Sequence, residues 1–199
     1  PDVLEIFPGR SDGDFADANS AVIPIYMHGP VLRLCYERLP SYTEEIWQAL
    51  EKSSDNACYY ALRLLAFVRD LEPRPALIEA VFHEDNTIRR LALQVVFNLY
   101  ERAKDESILT MVRARLEQGE AHEREAAVVA LTKLRDRFVI PQLIDMLVEP
   151  NAEIRRRSLE ALQRLTFQVF GYEPAQWMKW FAAHREDSDE AWLAAAMTS

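Results

Sequence analysis

The sequence predicts an all-α protein built as a right-handed α-α superhelix, a solenoid of about four helical hairpins with N- and C-terminal caps. A repeated pattern carries this prediction: a short apolar helix, a polar break, and a longer helix whose inner face centres on a small residue. The small residues are Ala61, Ala92, Ala126 and Ser158, at spacings of 31, 34 and 32 residues. Periods of this length are typical of stacked helical hairpins, in which a repeat buries its apolar face only against its neighbours.

The composition agrees with this fold class. Glycine weakens helix interiors, and the 199 residues include only five glycines. No apolar run approaches the roughly 20 residues that a membrane-spanning helix needs, so we expect no membrane segment in this chain. The two cysteines, Cys35 and Cys58, are predicted to be core residues rather than a disulfide, which favours a reducing, cytoplasmic location.

Residues 1–28 are predicted to form an acidic linker or extended arm. The first 20 residues combine Pro, Gly, Asp and Ser without a sustained hydrophobic period, and Pro24 interrupts the apolar run that follows. Residues 29–40 are predicted to form an N-terminal cap helix, because Pro30 suits the first position of a helix, where a missing N–H costs nothing.

Residues 41–171 are predicted to form the repeat array. Its four repeats share a short helix followed by a longer one, predicted at 43–52 and 56–70, 75–82 and 87–102, 107–118 and 123–136, and 139–147 and 152–167. Ser41 is predicted to cap the first of these helices, with Glu44 completing a capping box. Apolar residues recur at steps of three and four in each longer helix, as expected for a helix packed on one side. Gly171 is predicted to lie just past the C-terminus of the last one.

Residues 172–199 are predicted to form a C-terminal helical cap. Pro174 begins one helix, and residues 191–197 form a last one. One face of the first helix is aromatic, through Trp177, Trp180 and Phe181. Because the open end of a solenoid exposes its apolar core, we expect this face to close the stack.

Two segments, DNTIRRLAL at 85–93 and PNAEIRRRSL at 150–159, place a turn Asp or Asn before an aliphatic-Arg pair, with a small residue three positions after the Arg. This pattern resembles the signature of short bacterial HEAT repeats of the kind found in phycobilisome lyases. The resemblance covers roughly residues 41–184 and implies a HEAT-like fold. Arg89 and Arg155 match the structural Arg of the repeat and are expected to bond turn carboxylates or carbonyls. The first and third repeats depart from the pattern, with Cys58 and Glu123 at that position.

No catalytic residue, metal site or cofactor is predicted. The four histidines are scattered without metal-ligand spacing, and the sequence has no glycine-rich phosphate loop, nucleophile elbow or Cys-x-x-Cys pair. The His83-Glu84-Asp85 segment fits a polar turn with Asp85 as a helix cap better than it fits a ligand cluster.

The negative charge is concentrated at the two ends of the chain. The net charge is −9, of which residues 1–30 contribute −4 and residues 185–199 contribute −3. Non-specific nucleic-acid binding depends on clustered Lys and Arg that neutralise phosphates, so this balance argues against a nucleic-acid partner.

Aligning the longer helices on their small residues gives a candidate binding surface. One column contains Tyr59, Arg90, Arg124 and Arg156, and the column one turn further includes Arg63, Gln94 and Glu160. The family resemblance implies that these helices line a concave face. Arg and Tyr anchor interfaces well, which favours a groove for an acidic segment of another protein. The alternative interpretation is that these residues are solvated positions on ordinary amphipathic helices.

The sequence therefore predicts a non-catalytic protein–protein interaction scaffold, one domain of a larger bacterial protein, that binds a partner segment on its concave helical face. An acidic segment is the favoured partner, and the chain's own residues 1–20 are one candidate. Two other functions stay open. A bilin-lyase-like accessory enzyme would show a roomy apolar pocket with a few convergent polar groups. A HEAT-like nucleic-acid-binding module, resembling the HEAT-like DNA glycosylases, would show a broad basic face, which Glu160 and other acids interrupt.

Overall fold

The computed structural model describes residues 38–52, 54–68 and 71–197. These ranges contain no β-strand, which confirms the predicted all-α class. Their α-helices are α1 (Leu39–Lys52), α2 (Asp55–Leu65), α3 (Pro75–Ala80), α4 (Asn86–Ala103), α5 (Glu106–Gln118), α6 (Ala121–Lys133), α7 (Ile140–Asp145), α8 (Ala152–Thr166), α9 (Pro174–His184) and α10 (Asp189–Met197). Short 3-10 helices cover Arg137–Val139 and Met146–Val148. Within the described ranges, no helix has the length and apolar character needed to cross a membrane.

The chain divides into two compact units after Lys104. The predicted arm, most of the predicted N-terminal cap helix and Cys35 lie outside the described residues. In the first unit α1 packs against α2 and α3, and both α2 and α3 pack against α4. Trp47, Leu62, Leu77 and Ile88 lie at the centre of its apolar core.

The first described helix begins earlier than predicted. It starts at Leu39, and the N–H of Ser41 bonds the carbonyl of Arg38. Ser41 therefore lies inside the first turn and is not the cap, because Pro40 already occupies an early helical position that needs no N–H donor. Glu44 does not close a capping box and instead accepts two hydrogen bonds from Arg74 across the unit.

The predicted breaks before α2 and α4 are confirmed by their caps. Ser54 accepts a hydrogen bond from the N–H of Ala57, and Asp85 Oδ1 accepts from Thr87 and Ile88 at 2.7 and 3.1 Å. Helix α2 ends at Leu65, five residues before its predicted end. The N–H groups of Phe67 and Val68 bond carbonyls three residues back and tighten the chain into a turn.

In the second unit α5 packs against α6, α6 against α8, and α7 against both α8 and α9. A buried ion pair fixes the segment that follows α6. Asp136 accepts Arg113 Nε and Nη2 at 2.6 and 2.7 Å, and it also accepts the N–H of Phe138. Trp177 of the predicted cap is buried, and its indole N–H donates to the carbonyl of Gly171 at 2.7 Å.

Helix α8 ends before the predicted glycine. Its C-terminal cap is Phe167, which adopts a left-handed conformation with φ of 60° and donates its N–H to Gln163 O at 2.8 Å. Gly171 also has a positive φ, but it lies in the turn that precedes α9. The prediction that Gly171 terminates α8 is therefore wrong, because the chain leaves the helix four residues earlier.

The small inner residues are found in all four longer helices, with one shift. In α2, α4, α6 and α8, the residue seven positions after the N-cap is fully buried; these residues are Ala61, Ala92, Ala127 and Ser158. The predicted residue in α6, Ala126, is only half-buried. Helix α6 is capped by Glu120, with Glu123 completing a capping box, and this cap sets the inner face one residue later than predicted.

Candidate protein interaction site

Two arginines tie the start of their own helix to the turn before it, as predicted. Arg89 Nη1 donates to the carbonyls of His83 and Glu84 at 2.6 and 2.7 Å. Arg155 Nη1 donates to the carbonyls of Glu149 and Pro150 at 2.6 and 2.8 Å. In both cases the acceptors lie six and five residues before the arginine, so α4 and α8 use the same local device.

Arg124 occupies the corresponding place in α6. It follows its N-cap by four residues, as Arg89 and Arg155 do, and its Nε donates to the carbonyl of Leu116 at 3.3 Å. Its Nη2 also donates to Glu149. The sequence alignment that placed Arg124 in one column with Arg90 and Arg156 is therefore wrong, since the one-residue shift puts Glu125 in that column.

Tyr59 and Arg63 do not lie on an open face. Their exposed fractions are 2% and 4%, and the Arg63 guanidinium carbon lies 5.9 Å from the centre of the Tyr59 ring. The expectation that both project into a groove is incorrect, because an amphipathic side chain can bury its apolar stem or ring in a core. Local spacing on α2 could not show that this turn is covered.

Arg90 and Gln94 remain on the exposed side of α4. Arg90 is exposed and forms no ion pair within the described part of the chain. Gln94, one turn further along, is half-buried and donates to Asn98 Oδ1 at 2.9 Å. This turn therefore presents an exposed guanidinium next to an amide that Asn98 on the same helix orients.

Arg156 is exposed but already paired on its own helix. It bonds Glu153 on the preceding turn and Glu160 on the following turn. The hydrogen bonds that Arg156 donates to Glu153, with the negative charge of Glu160 beside them, raise the pKa of the Arg156 guanidinium, and Arg156 in turn lowers the pKa of Glu153. Because Arg157 also pairs with Glu153 at 2.9 Å, these four side chains form a neutral network.

A pocket in the first unit is too small for a chromophore. It has a volume of about 10 Å³, the space of roughly one water molecule, and is lined by residues of α2, α4 and the segment between α2 and α3. Among the described residues no group of three or more His, Cys, Asp or Glu side chains is arranged to hold a metal ion.

An exposed apolar segment follows α8 and was not predicted from the sequence. The exposed fractions of Phe167, Val169 and Tyr172 are 60%, 80% and 50%. Phe138, after α6, is 67% exposed. The sequence FQVFGY at 167–172 carries a visible signal, a dense run of large apolar residues. The sequence pattern is interpreted only as the end of a helix at Phe167 followed by a terminating Gly171.

No protein-family model matches the chain, and no curated protein matches it. The HEAT-like resemblance therefore depends on the segments at 85–93 and 150–159.

Proposed function

We propose that this chain is a HEAT-like helical-repeat module that binds another protein and performs no chemistry of its own. The observation that carries the proposal is the shared construction of α4 and α8. Arg89 and Arg155 bond carbonyls at identical offsets, and a fully buried small residue follows each by three positions. A device repeated in detail at two places favours a chain built from one duplicated helical unit, stacked as a right-handed solenoid.

In such an array the inner helices serve two purposes. Their N-terminal arginines and small residues hold neighbouring elements together, while polar residues on their solvent-facing side can contact a partner. Arg90 and Gln94 are the pair that best fits the second role, since Arg90 is exposed and has no ion pair among the described residues. Arg124 fits the first role, because its donors already bond Leu116 and Glu149.

The partner chemistry follows from Arg90. A guanidinium binds a carboxylate through two parallel hydrogen bonds, and such charge-assisted pairs are stronger than neutral ones. The partner is therefore an acidic segment, and Gln94 offers it a further amide donor or acceptor. Arg156 and Glu160 contribute less, because an incoming carboxylate would first have to displace Glu153 and Glu160 from Arg156.

The test is affinity capture with the full chain as bait. Arg90→Glu is compared with Lys179→Glu, which makes the same charge change on the exposed side of α9. Captured proteins are quantified by mass spectrometry at roughly 50 and 300 mM salt, because exposed charges are screened more strongly at the higher salt. The proposal predicts that Arg90→Glu loses partners that Lys179→Glu keeps, and that higher salt weakens the binding of these partners. Both variants should melt like the parent. Partners kept by Arg90→Glu would show that the α4 face is not used.

The bilin-lyase-like and nucleic-acid-binding alternatives remain predictions. Adding a free bilin and recording its absorbance separates the first from the protein-binding proposal. Titration with labelled duplex and single-stranded DNA separates the second. Salt-sensitive binding of DNA that Arg90→Glu abolishes would replace the acidic protein partner with a nucleic acid.

A further inference from the structure

We propose that the C-terminal ends of α6 and α8 form a second docking surface, which binds an acidic peptide segment carrying a large apolar side chain. We call this surface the C-terminal edge and define it by Arg135, Phe138, Arg164, Phe167 and Val169. It is independent of Arg90 and lies entirely within the second unit.

Contacts at both ends of α6 and α8 show that the two helices run parallel. At their beginnings, Arg124 of α6 bonds Glu149, which lies two residues before the N-cap of α8. Near their ends, the Arg137 guanidinium carbon lies 5.5 Å from the Trp192 ring, and Trp192 Nε1 donates to the carbonyl of Leu165 at 3.0 Å. The segments that leave the two helices therefore lie at the same side of the unit.

The apolar side chains of this edge are held outward by their neighbours. After α8, burial alternates along the chain: Phe167 and Val169 are exposed, while Gln168 is buried and Phe170 is half-buried. Gln168 bonds the hydroxyl and the carbonyl of Thr166, and the Phe170 ring packs edge-on against Trp177 with 4.9 Å between ring centres. The inward residues Gln168 and Phe170 anchor the segment, so Phe167 and Val169 face outward in a fixed arrangement.

Phe167 adopts a backbone conformation that is unfavourable for a bulky residue. It has a φ of 60°, a left-handed conformation that favours glycine or asparagine at helix ends and disfavours bulky side chains. Because the ring is largely exposed, its packing offsets little of this strain. A residue that breaks a local rule without a gain in packing is expected at a functional position, and recognition of a partner supplies the missing reason.

Charge selects the partner. Residues 133–138 and 164–170 contain four basic residues and one acid, a net charge of +3 in a chain whose net charge is −9. The acid, Asp136, is buried against Arg113, and Asp189 of α10 lies 3.4 Å from Arg137. Arg135 and Arg164 are exposed and form no ion pair within the described residues. These two exposed guanidiniums lie on the same two segments as the exposed rings of Phe138 and Phe167, and together they complement a partner segment that carries carboxylates around an apolar side chain.

The test is fluorescence anisotropy with a fluorescein-labelled peptide in which a single phenylalanine is flanked by aspartates. Phe167→Asn removes the ring and suits the left-handed backbone, so it should weaken binding by at least about tenfold, or about 1.4 kcal/mol, without lowering the melting temperature. Val148→Asn is the matched control, because Val148 is equally exposed but precedes the N-terminus of α8. It should leave binding unchanged. Arg135→Gln with Arg164→Gln should weaken binding and reduce its salt dependence.

Any of the following results would overturn the proposal. One is a dissociation constant for Phe167→Asn within about twofold of the parent value, and another is equal binding of a peptide whose phenylalanine is replaced by alanine. A third is that the protein binds vesicles with about 30% anionic lipid but not the peptide, and that Phe167→Asn abolishes the vesicle binding. This result would assign the edge to a membrane surface. The last is a marked loss of stability in Phe167→Asn, or self-association in sedimentation that this variant removes, which would assign Phe167 to the fold or to a second copy of the chain.

Discussion

The hydroxyl of Ser158 lies in the interior of the second unit, and replacing this serine with alanine is expected to stabilise the protein. Ser158 is fully buried, and its Oγ has no hydrogen-bond partner within the described part of the chain. The equivalent residue is alanine in the other three longer helices. Ser158→Ala therefore removes an unsatisfied polar atom without changing the shape of the contact.

The change in the free energy of unfolding combines two gains and one smaller loss. A buried polar group without a partner costs about 1–3 kcal/mol, and alanine has a higher helix propensity than serine by about 0.5 kcal/mol. The small void left by the oxygen offsets part of this gain. We expect the free energy of unfolding to rise by about 1 kcal/mol, which corresponds to an increase in melting temperature of roughly 2–4 °C for a chain of this length.

The assay is urea unfolding followed by circular dichroism, with a thermal melt of the same samples. Ala127→Ser makes the reverse change at the equivalent position of α6 and should lower the free energy of unfolding by a similar amount. If Ser158→Ala is less stable than the parent, the hydroxyl makes an interaction that the structure does not show, and the reasoning fails.

Two further substitutions test the bonds that hold the second unit together. Arg155→Gln should lose about 1–3 kcal/mol of stability, because it removes charge-assisted bonds to two carbonyls. Arg157 pairs with Glu153 on the surface, so Arg157→Gln should lose less than about 1 kcal/mol. Equal losses of the two variants in urea unfolding would contradict this prediction. Asp136→Ala should lower the free energy of unfolding, measured by calorimetry, by about 2–4 kcal/mol. This loss is somewhat smaller than for a fully buried pair, because Arg113 keeps some contact with solvent. A loss near zero would mean that the pair does not hold the turn after α6.

Local signals in the sequence were enough to predict most of the helices, the cap at Asp85 and the break at Ser54. Asp85 and Ser54 are short polar residues placed directly before an apolar period, and both cap the helix that follows. The arginines Arg89 and Arg155 bond turn carbonyls, as the family resemblance implied. These features are set by residues within one or two helical turns of each other, so a single sequence contains the information needed to predict them.

Other features depend on tertiary packing or on a choice between equivalent local signals. In α6 two adjacent alanines, Ala126 and Ala127, fit the inner position equally well, and only the Glu120 cap decides between them. The burial of Arg63 depends on what packs over its helix. The C-terminal cap of α8 at Phe167 was not predicted, because Gly171 gave the stronger local signal for a helix terminus.

The most direct test of the repeat architecture compares Ala127→Leu with Ala126→Leu by urea unfolding. The account places Ala127, and not Ala126, in the fully buried inner position shared by Ala61, Ala92 and Ser158. Ala127→Leu should overpack that position and lose about 1–3 kcal/mol, while Ala126→Leu should lose clearly less. A larger loss for Ala126→Leu, or no loss for Ala127→Leu, would contradict the shared inner position and with it the proposal that this chain is built from one repeated helical unit.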